Sequence, residues 1–329
     1  MSAMAVSLDI IIVNWNSGSY LRGCLDSLRV AMQDGFELTR VVVVDNASAD
    51  GSADSLAFPD LPLSIIRNSY NLGFARACNQ AATGCNGDYL LFLNPDTVLF
   101  PNSLAGPVRF MQEPGNRMVG ICGIQLVDEQ GQVARTCSSF PTPTLLCARM
   151  LGIDKIFPRF VPPHFLSDRD HCSSRRVDQV MGAFMLVRRY LFDRLKGFDS
   201  RFFVYFEDLD LALRSQRLGY SSFYLADAQA SHAGGKCSQS AQGAALSYCL
   251  RSRIQYSWKH FGVIGGITVL LGTICLEPLT RVIRGICRGS LEELREIYEA
   301  YLRLWRQPSY LASERDHEVA HRASPRETS

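Results

Sequence analysis

Four short apolar runs, each breaking off into a polar cluster, constrain this chain more than any other feature. Leu8–Val13 runs into Asn14-Trp15-Asn16-Ser17-Gly18, and Val41–Val44 into Asp45-Asn46-Ala47-Ser48-Ala49-Asp50-Gly51-Ser52. Leu63–Ile66 is followed by Arg67-Asn68-Ser69-Tyr70-Asn71-Leu72-Gly73, and Tyr89–Leu93 by Asn94-Pro95-Asp96-Thr97. Apolar, β-branched runs of this length read as strands buried on both faces. Tyr20, Leu21, Cys24, Leu25 and Leu28 recur at helical spacing after the first run, and Phe74–Ala82 reads as a helix before the fourth. Strands alternating with helices predict an α/β chain with a mostly parallel sheet flanked by helices. All four polar clusters then fall at carboxyl ends of strands, where open α/β sheets bind ligands.

Past residue 115 the pattern loosens. Val119–Val127 and Val177–Val187 look like strands, the second containing Met181-Gly182-Ala183-Phe184, with an irregular Pro-, Arg- and Ser-rich excursion over 138–175 between them. Tyr220–Leu225 is a late strand leading to Ser231-His232-Ala233-Gly234-Gly235-Lys236. From about residue 240 the character changes. Tyr248–His260 reads as a helix, and the fifteen residues Gly262–Leu276 are uncharged, with basic residues on both sides. That run is short of the roughly 20 residues a spanning helix needs, so a partly buried interfacial hairpin or amphipathic element beside anionic lipid is expected, with a soluble core segment and a true span as the alternatives. Ser290-Leu291-Glu292-Glu293 matches a capping box opening a helix to about Arg306. The expected organisation is an α/β domain over 1–240 (halves of about 7–115 and 116–240), a helical extension over 241–312 that would associate with a membrane surface, and a disordered tail over 313–329.

Bulk properties narrow the classes. The chain has 329 residues and a formal net charge of +2, which gives no reason to expect nucleic acid. Its eleven cysteines show no metal-ligand spacing, which fits reduced thiols in the cytoplasm. The first strand begins so early that no signal peptide is expected. No Gly-X-Gly-X-X-Gly follows the first strand, which argues against a dinucleotide-dependent oxidoreductase.

The sharpest single stretch is Phe202-Phe203-Val204-Tyr205-Phe206-Glu207-Asp208-Leu209-Asp210-Leu211, where an aromatic approach meets three carboxylates. Carboxylates in such a setting should titrate unusually or grip a charged partner. On a helix Glu207 and Asp210 share a face while Asp208 points elsewhere, so the three cannot do the same work. An acidic helix N-terminus would account for the charges but not for the aromatic run before them.

Taken in order, Ile12-Val13-Asn14-Trp15-Asn16, Val44-Asp45 to Ser52, and Asn68 through Asn71-Leu72-Gly73-Phe74-Ala75 to Asn79 resemble the nucleotide-binding half of family 2 glycosyltransferases. The resemblance covers roughly residues 7–235 and implies the GT-A fold, a Rossmann-like mostly parallel sheet, here with a helical C-terminal extension. It implies a nucleotide-sugar site at Val13, Asn14, Asn16, Asp45, Asn46, Asp50, Asn71, Gly73 and Arg76, joined by Asn94 and Gly182. Asn94-Pro95-Asp96 stands in place of the family's Asp-X-Asp motif, with Asn for the first Asp. Asp96 and His232 are therefore the expected ligands of a divalent cation, Mg2+ or Mn2+. Glu207-Asp208 matches the family's acidic pair, which makes Asp208 the expected general base, with Glu207 and Asp210 in supporting catalytic roles.

The nearest subgroup by resemblance is the bacterial rhamnosyltransferases that extend lipid-diphosphate-linked sugars. It implies inverting transfer from a nucleotide-diphosphate sugar such as dTDP-L-rhamnose to a glycan or polyprenyl-diphosphate-linked acceptor in cell-surface polysaccharide synthesis. It also implies a cytoplasmic enzyme, peripheral on the inner face of the cytoplasmic membrane, with homo-oligomerisation left open. The alternative is a non-catalytic nucleotide-sugar- or carbohydrate-binding scaffold of the same fold, a role that would require neither Asp96 nor Asp208.

Overall fold

The computed structural model describes residues 6–32, 35–157, 159–161, 164–166, 171–234 and 242–306. In chain order the first elements are β1 (Val6–Asn14), α1 (Tyr20–Ala31), β2 (Phe36–Asp45), β3 (Leu63–Arg67), α2 (Phe74–Ala82), β4 (Tyr89–Leu93) and β5 (Thr97–Leu99). Then come α3 (Ala105–Gln112), β6 (Val119–Val127), β7 (Cys137–Ser138), α4 (Pro143–Met150), α5 (Ile153–Ile156), β8 (Arg175–Val177), β9 (Gln179–Val180), β10 (Phe184–Arg188) and α6 (Arg189–Arg194). The remainder is α7 (Glu207–Arg217), β11 (Ser221–His232), α8 (Gln242–Leu271), α9 (Glu277–Arg288) and α10 (Leu291–Arg306). The chain divides into two compact units. One comprises Met1–Phe140, Pro163–Asp199 and Glu207–Ser240; the other comprises Pro141–Pro162, Ser200–Phe206 and Ala241–Ser329. Residues 141–162 and 200–206, expected within the first domain, thus group with the C-terminal helices.

The first unit is built on a sheet of order β3-β2-β1-β4-β10-β6-β11-β5, with β8 on β11. β1, β2, β3 and β4 are parallel, while β10 runs antiparallel to both β4 and β6. Alternation along each strand divides the apolar residues between two layers. Ile10, Ile12, Val41 and Val43 pack with Leu21, Leu25 and Leu28 of α1. Ile11, Val13, Val42 and Val44 pack with Ala75, Cys78 and Ala82 of α2. The register places Asn14 opposite Asp45 and Asp45 opposite Arg67. Three of the polar clusters are therefore held in one row along the sheet end.

Two strands differ from expectation for local reasons. The run Val177–Val187 is not one strand but β8, β9 and β10. Its backbone leaves the ladder around Met181–Ala183, where Met181 N donates to Thr136 O at 2.8 Å and Ala183 O accepts from Asn94 N at 3.0 Å. The late strand expected at Tyr220–Leu225 continues to His232, because an irregularity between Leu225 and Gln229 lets it resume pairing with β6 and then pair with β5. Every cysteine among the described residues is free.

The second unit has its own core, in which Leu250 and Ile254 of α8 meet Ile297, Tyr301 and Leu304 of α10. Val269, farther along α8, packs on Leu146 and Met150 of α4. The aromatic run before the acidic cluster is a partner of α8. Phe203 stacks on Tyr248 with centroids 4.7 Å apart, Phe206 on Tyr256 at 5.5 Å, and Ser252 Oγ donates to Val204 O at 2.8 Å. This packing explains the aromatic run. Gly262 (φ 67°, ψ −170°) breaks α8 in a region that is essentially glycine-only. Beyond that break the uncharged run forms no hairpin. It continues as helix to Leu271, passes through a π-turn over Gly272–Leu276, and enters α9. Only half of the capping box forms: Glu293 N donates to Ser290 Oγ at 3.2 Å, while Ser290 N donates to Gly285 O and the Glu293 carboxylate pairs with Arg284 and Arg288. The tail expected from residue 313 lies outside the described residues.

Candidate active site

The first two polar clusters interlock through one amide. Asn14 Nδ2 lies within hydrogen-bonding distance of Asp45 Oδ1 (2.9 Å), Ser48 Oγ (3.0 Å) and Ser52 Oγ (2.9 Å), and Ser17 Oγ donates to Asn14 Oδ1. Asn16, at φ 50°, accepts from Ala49 N at 2.8 Å, and Asn16 N donates to Ser48 Oγ at 3.0 Å. Asp50 accepts from Gly18 N at 2.7 Å and from Ser52 Oγ at 2.6 Å. Burial alone would raise the Asp50 pKa, but hydrogen bonds from Ser52 and Gly18 outweigh it and hold the carboxyl below its ordinary value. Asp45 Oδ2 has a 3.9 Å approach from Arg67.

The third cluster joins through Asn46, whose Nδ2 donates to Gly73 O at 3.2 Å and whose Oδ1 accepts from Asn68 Nδ2 at 2.9 Å. Asn71 Oδ1 accepts from Gly73 N at 2.8 Å, and Gly73 (φ 81°, ψ 170°) opens α2 in a conformation that excludes side chains. Arg76 stands in the first turn of that helix, where no side-chain cap occupies the amides. A helix start of this kind, with a guanidinium in its first turn, is suited to phosphate. Val13 is buried in the core, so it can offer only backbone here.

The fourth cluster meets the end of β11. Pairing of β5 with β11 sets His232 opposite Thr97, and Ala233 N donates to Asp96 O at 3.1 Å. Asp96 Oδ1 is thereby 3.2 Å from His232 Nε2, and Asn94 Nδ2 is 3.5 Å from the same nitrogen. Both side chains are nearly enclosed, Asp96 at 6% and His232 at 8% exposure. Among the described residues no three His, Cys, Asp or Glu side chains gather as a metal cluster. Two protein ligands still suit a hard cation that keeps waters and takes substrate phosphates as its other ligands, so this donor set fits Mg2+ or Mn2+. Cys24 Sγ donates to Asn94 O at 3.6 Å. Burial, and then the charge of Asp96, push this thiol's pKa up and keep it neutral.

The three acidic residues at the start of α7 are held in three different ways. Asp208 is half-buried and accepts at Oδ2 from Gln179 Nε2 (2.8 Å) and Gly182 N (3.1 Å), and at Oδ1 from Leu209 N (2.7 Å). Burial raises its pKa, and these hydrogen bonds pull against that rise. Glu207 is 6% exposed, and its Oε2 has no hydrogen-bond partner among the described residues. Burial and then the neighbouring Asp208 push its pKa well up. Asp210, at 0% exposure, pairs with Arg214 Nε at 2.7 Å, while the same guanidinium donates to Leu195 O and Gly197 O. Asp210 therefore anchors a turn.

Gly182 and Ala183 join the two acidic sites, since Gly182 N reaches Asp208 and Ala183 O accepts from Asn94 N. Sequence reasoning missed Gln179, which is fixed by Ser138 Oγ donating to its Oε1 at 2.6 Å. A lone glutamine in an apolar stretch was the only signal. Asn79, quoted in the third cluster, exchanges hydrogen bonds of 2.7 and 2.9 Å with the backbone of Phe198 and so clamps the fold.

Two outcomes separate these carboxylates. Asp210→Ala should destabilise the fold by about 1.5–3 kcal/mol in denaturant melts, because it removes the charged hydrogen bond between a fully buried carboxylate and the part-buried Arg214 guanidinium. Glu207→Gln should raise the melting temperature near neutral pH. Its raised pKa means that the ionised carboxyl penalises the fold above that pKa, whereas below the ordinary value of about 4.3 both folded and unfolded states are protonated. The gain should therefore shrink as pH falls and vanish in acid; a gain independent of pH would contradict the assignment.

The family model for glycosyl transferase family 2 matches residues 9–195. The chain is 26% identical over 243 residues to an N-acetylglucosaminyl-diphospho-decaprenol L-rhamnosyltransferase of Mycobacterium tuberculosis, covering 68% of this chain and 75% of that one. It is 30% identical over 172 residues to rhamnosyltransferase WbbL of Escherichia coli, covering 51% and 61%. In fold it is similar to a mannosyltransferase of Pyrobaculum calidifontis solved with GDP-Man and Mn2+, with TM-score 0.53, 18% identity, and coverage of 96% of this chain and 79% of that one. With a mixed sheet of GT-A type and a family match across more than half its length, the chain belongs to glycosyl transferase family 2 and is a glycosyltransferase.

Proposed function

We propose that this glycosyltransferase moves L-rhamnose, with inversion, from dTDP-L-rhamnose to a hydroxyl of a polyprenyl-diphosphate-linked saccharide in cell-surface polysaccharide synthesis. The observation that carries the reading is the tie through residues 182–183 between the Asp96–His232 turn and Asp208. The similar rhamnosyltransferases, one of them named for a decaprenol-linked acceptor, support the choice of donor sugar and acceptor class. The reading places the enzyme in the cytoplasm, at the inner face of the membrane that carries such an acceptor.

In this mechanism the Asn14–Asp45–Asn46 row receives the nucleoside, and Gly73 with Arg76 receives the diphosphate at the start of α2. Asp96 and His232 would hold a divalent cation, which when bound would supply positive charge against the departing diphosphate. Asp208 takes the proton of the acceptor hydroxyl as that oxygen bonds to the anomeric carbon from the side opposite the diphosphate. The bond from the anomeric carbon to the diphosphate breaks, and its electron pair leaves with the diphosphate. Gln179 and the Gly182 amide hold the carboxylate in one orientation while leaving it partly accessible.

Asp208→Asn should reduce transfer by about 100-fold or more, the scale of lost base catalysis, with donor-induced thermal stabilisation unchanged; equal loss of both would remove Asp208 from the base role. Asp96→Ala should abolish the part of dTDP-L-rhamnose stabilisation that depends on Mn2+ and that a chelator removes from the wild type. Donor binding indifferent to chelator would refute the metal assignment.

A further inference from the structure

We propose that the second unit carries a composite face that docks on an anionic lipid bilayer, made of one stripe along α8 and α9 and of the aromatic turn after α5. The proposal deepens the reading of a lipid-linked acceptor and depends on that reading for its purpose. Its physical basis is independent.

The stripe is a matter of helical register. Ile264, Ile267 and Leu271 follow at steps of three and four, Leu276 comes five residues later across the π-turn, and Leu279 and Ile283 resume steps of three and four. A π-turn closes i to i+5, so the five-residue step keeps Leu276 in line with what precedes it. All six are exposed, from 43 to 83%. They span about 29 Å at 1.5 Å per residue. The other side of the same helix is committed inward. Val269 and Thr273 are fully buried, and Glu277 is held by Arg253 and by Arg281, the latter at 2.8 Å. A helix apolar on one side and ion-paired on the other lies in a membrane surface, whereas a spanning helix is apolar all round.

The second part begins where the stripe has its edge. Thr280 Oγ1, next to Leu279, donates at 2.7 Å to the carbonyl of Met150, which ends α4 and precedes Leu151. From there the chain enters α5 and a turn in which Phe160 N and Val161 N both donate to Phe157 O, at 3.0 and 3.1 Å. Ile156, Phe157 and Phe160 are exposed at 68, 55 and 84%, with the exposed cations Lys155 and Arg159 interleaved. Aromatic and aliphatic side chains alternating with cations are the chemistry of an interfacial anchor.

Charge selects the occupant. The whole chain is nearly neutral, with 34 Lys and Arg against 32 Asp and Glu. The described residues of this unit hold thirteen Lys and Arg against six Asp and Glu. A second copy meeting the same face about a two-fold axis would oppose like charge to like charge. An anionic headgroup layer meets the apolar stripe and the exposed cations Lys155 and Arg159 that are interleaved with the aromatic turn.

The test is sedimentation of the full chain, without donor or acceptor, with phosphatidylcholine vesicles and with phosphatidylcholine–phosphatidylglycerol vesicles. The wild type should bind the anionic vesicles at least about tenfold more tightly, and raised salt should weaken that binding. Ile264→Glu with Ile283→Glu, and separately Phe157→Ser with Phe160→Glu, should each weaken it by about tenfold or more. All substituted side chains are exposed, and unchanged melting and gel-filtration profiles will confirm intact variants. No binding by the wild type, equal binding to both vesicle types, or loss in only one double variant would overturn the composite lipid face. So would a wild-type dimer that the first variant converts to monomer with vesicle binding intact. Transfer to a water-soluble acceptor lacking the polyprenyl chain reads the proposed reaction alone: it should persist in both variants, and its absence in the wild type would count against the reaction rather than the face.

Discussion

The backbone of Gly182 and Ala183 is where the chemistry of this unit is tied together. A ladder strand would spend its amides and carbonyls on neighbouring strands. Here one amide goes to the Asp208 carboxylate and the next carbonyl goes to the amide of Asn94. The segment can do so because β10 resumes antiparallel pairing with β4 immediately afterwards, at Phe184 opposite Leu93. The position of the Asp96 turn relative to Asp208 is therefore set by backbone covalent geometry and two hydrogen bonds. Gly182 has room for a Cβ, with Asp208 atoms at 3.7 Å. What the position requires is its N–H, which proline alone would lack.

Environment then assigns different work to chemically similar carboxylates. Asp210 is fully buried and paired with Arg214, so its work is to anchor the fold. Glu207 is buried without such a cation, beside Asp208 and Asp210, and its proton is held more firmly than an ordinary carboxyl's. Asp208 lies between these extremes, raised by burial yet supplied with three hydrogen-bond donors that favour its ionised form. A group able to accept a proton and also to release it needs that middle ground. Neighbours separate the three residues more than sequence distance does.

Much of this was legible because the relevant signals are local. The bounds expected for β4, β6, α2 and α10 are the observed ones, and the first three polar clusters lie in one row along a sheet end. Helical spacing separated Asp208 from Glu207 and Asp210, as their burial bears out. The rest depends on pairings distant in sequence. His232 reaches Asp96 only because β11 continues past an irregularity to pair with β5, which alternating hydrophobicity up to Leu225 does not announce. Gln179 matters only through its contact with Asp208, 29 residues away. The grouping of 141–162 with α8 rests on Leu146 and Met150 meeting Val269, again a long-range match.

The aromatic run and the acidic residues after it are adjacent in sequence but belong to different units. Phe202–Phe206 groups with the C-terminal helices and is held there by Tyr248, Ser252 and Tyr256. Glu207, the next residue, begins a helix of the other unit. The change of allegiance is made within two residues, and the backbone bears its cost: Tyr205 and Phe206 have φ of 69° and 67°. Bulky residues in that region cost on the order of 1–3 kcal/mol each and persist only where surroundings over-determine them. Glycine would relieve this strain, but it would surrender the ring of Phe206 against Tyr256. The ring of Phe206 is thus kept for packing at the expense of backbone strain, one residue before α7 begins with Asp208 in its first turn.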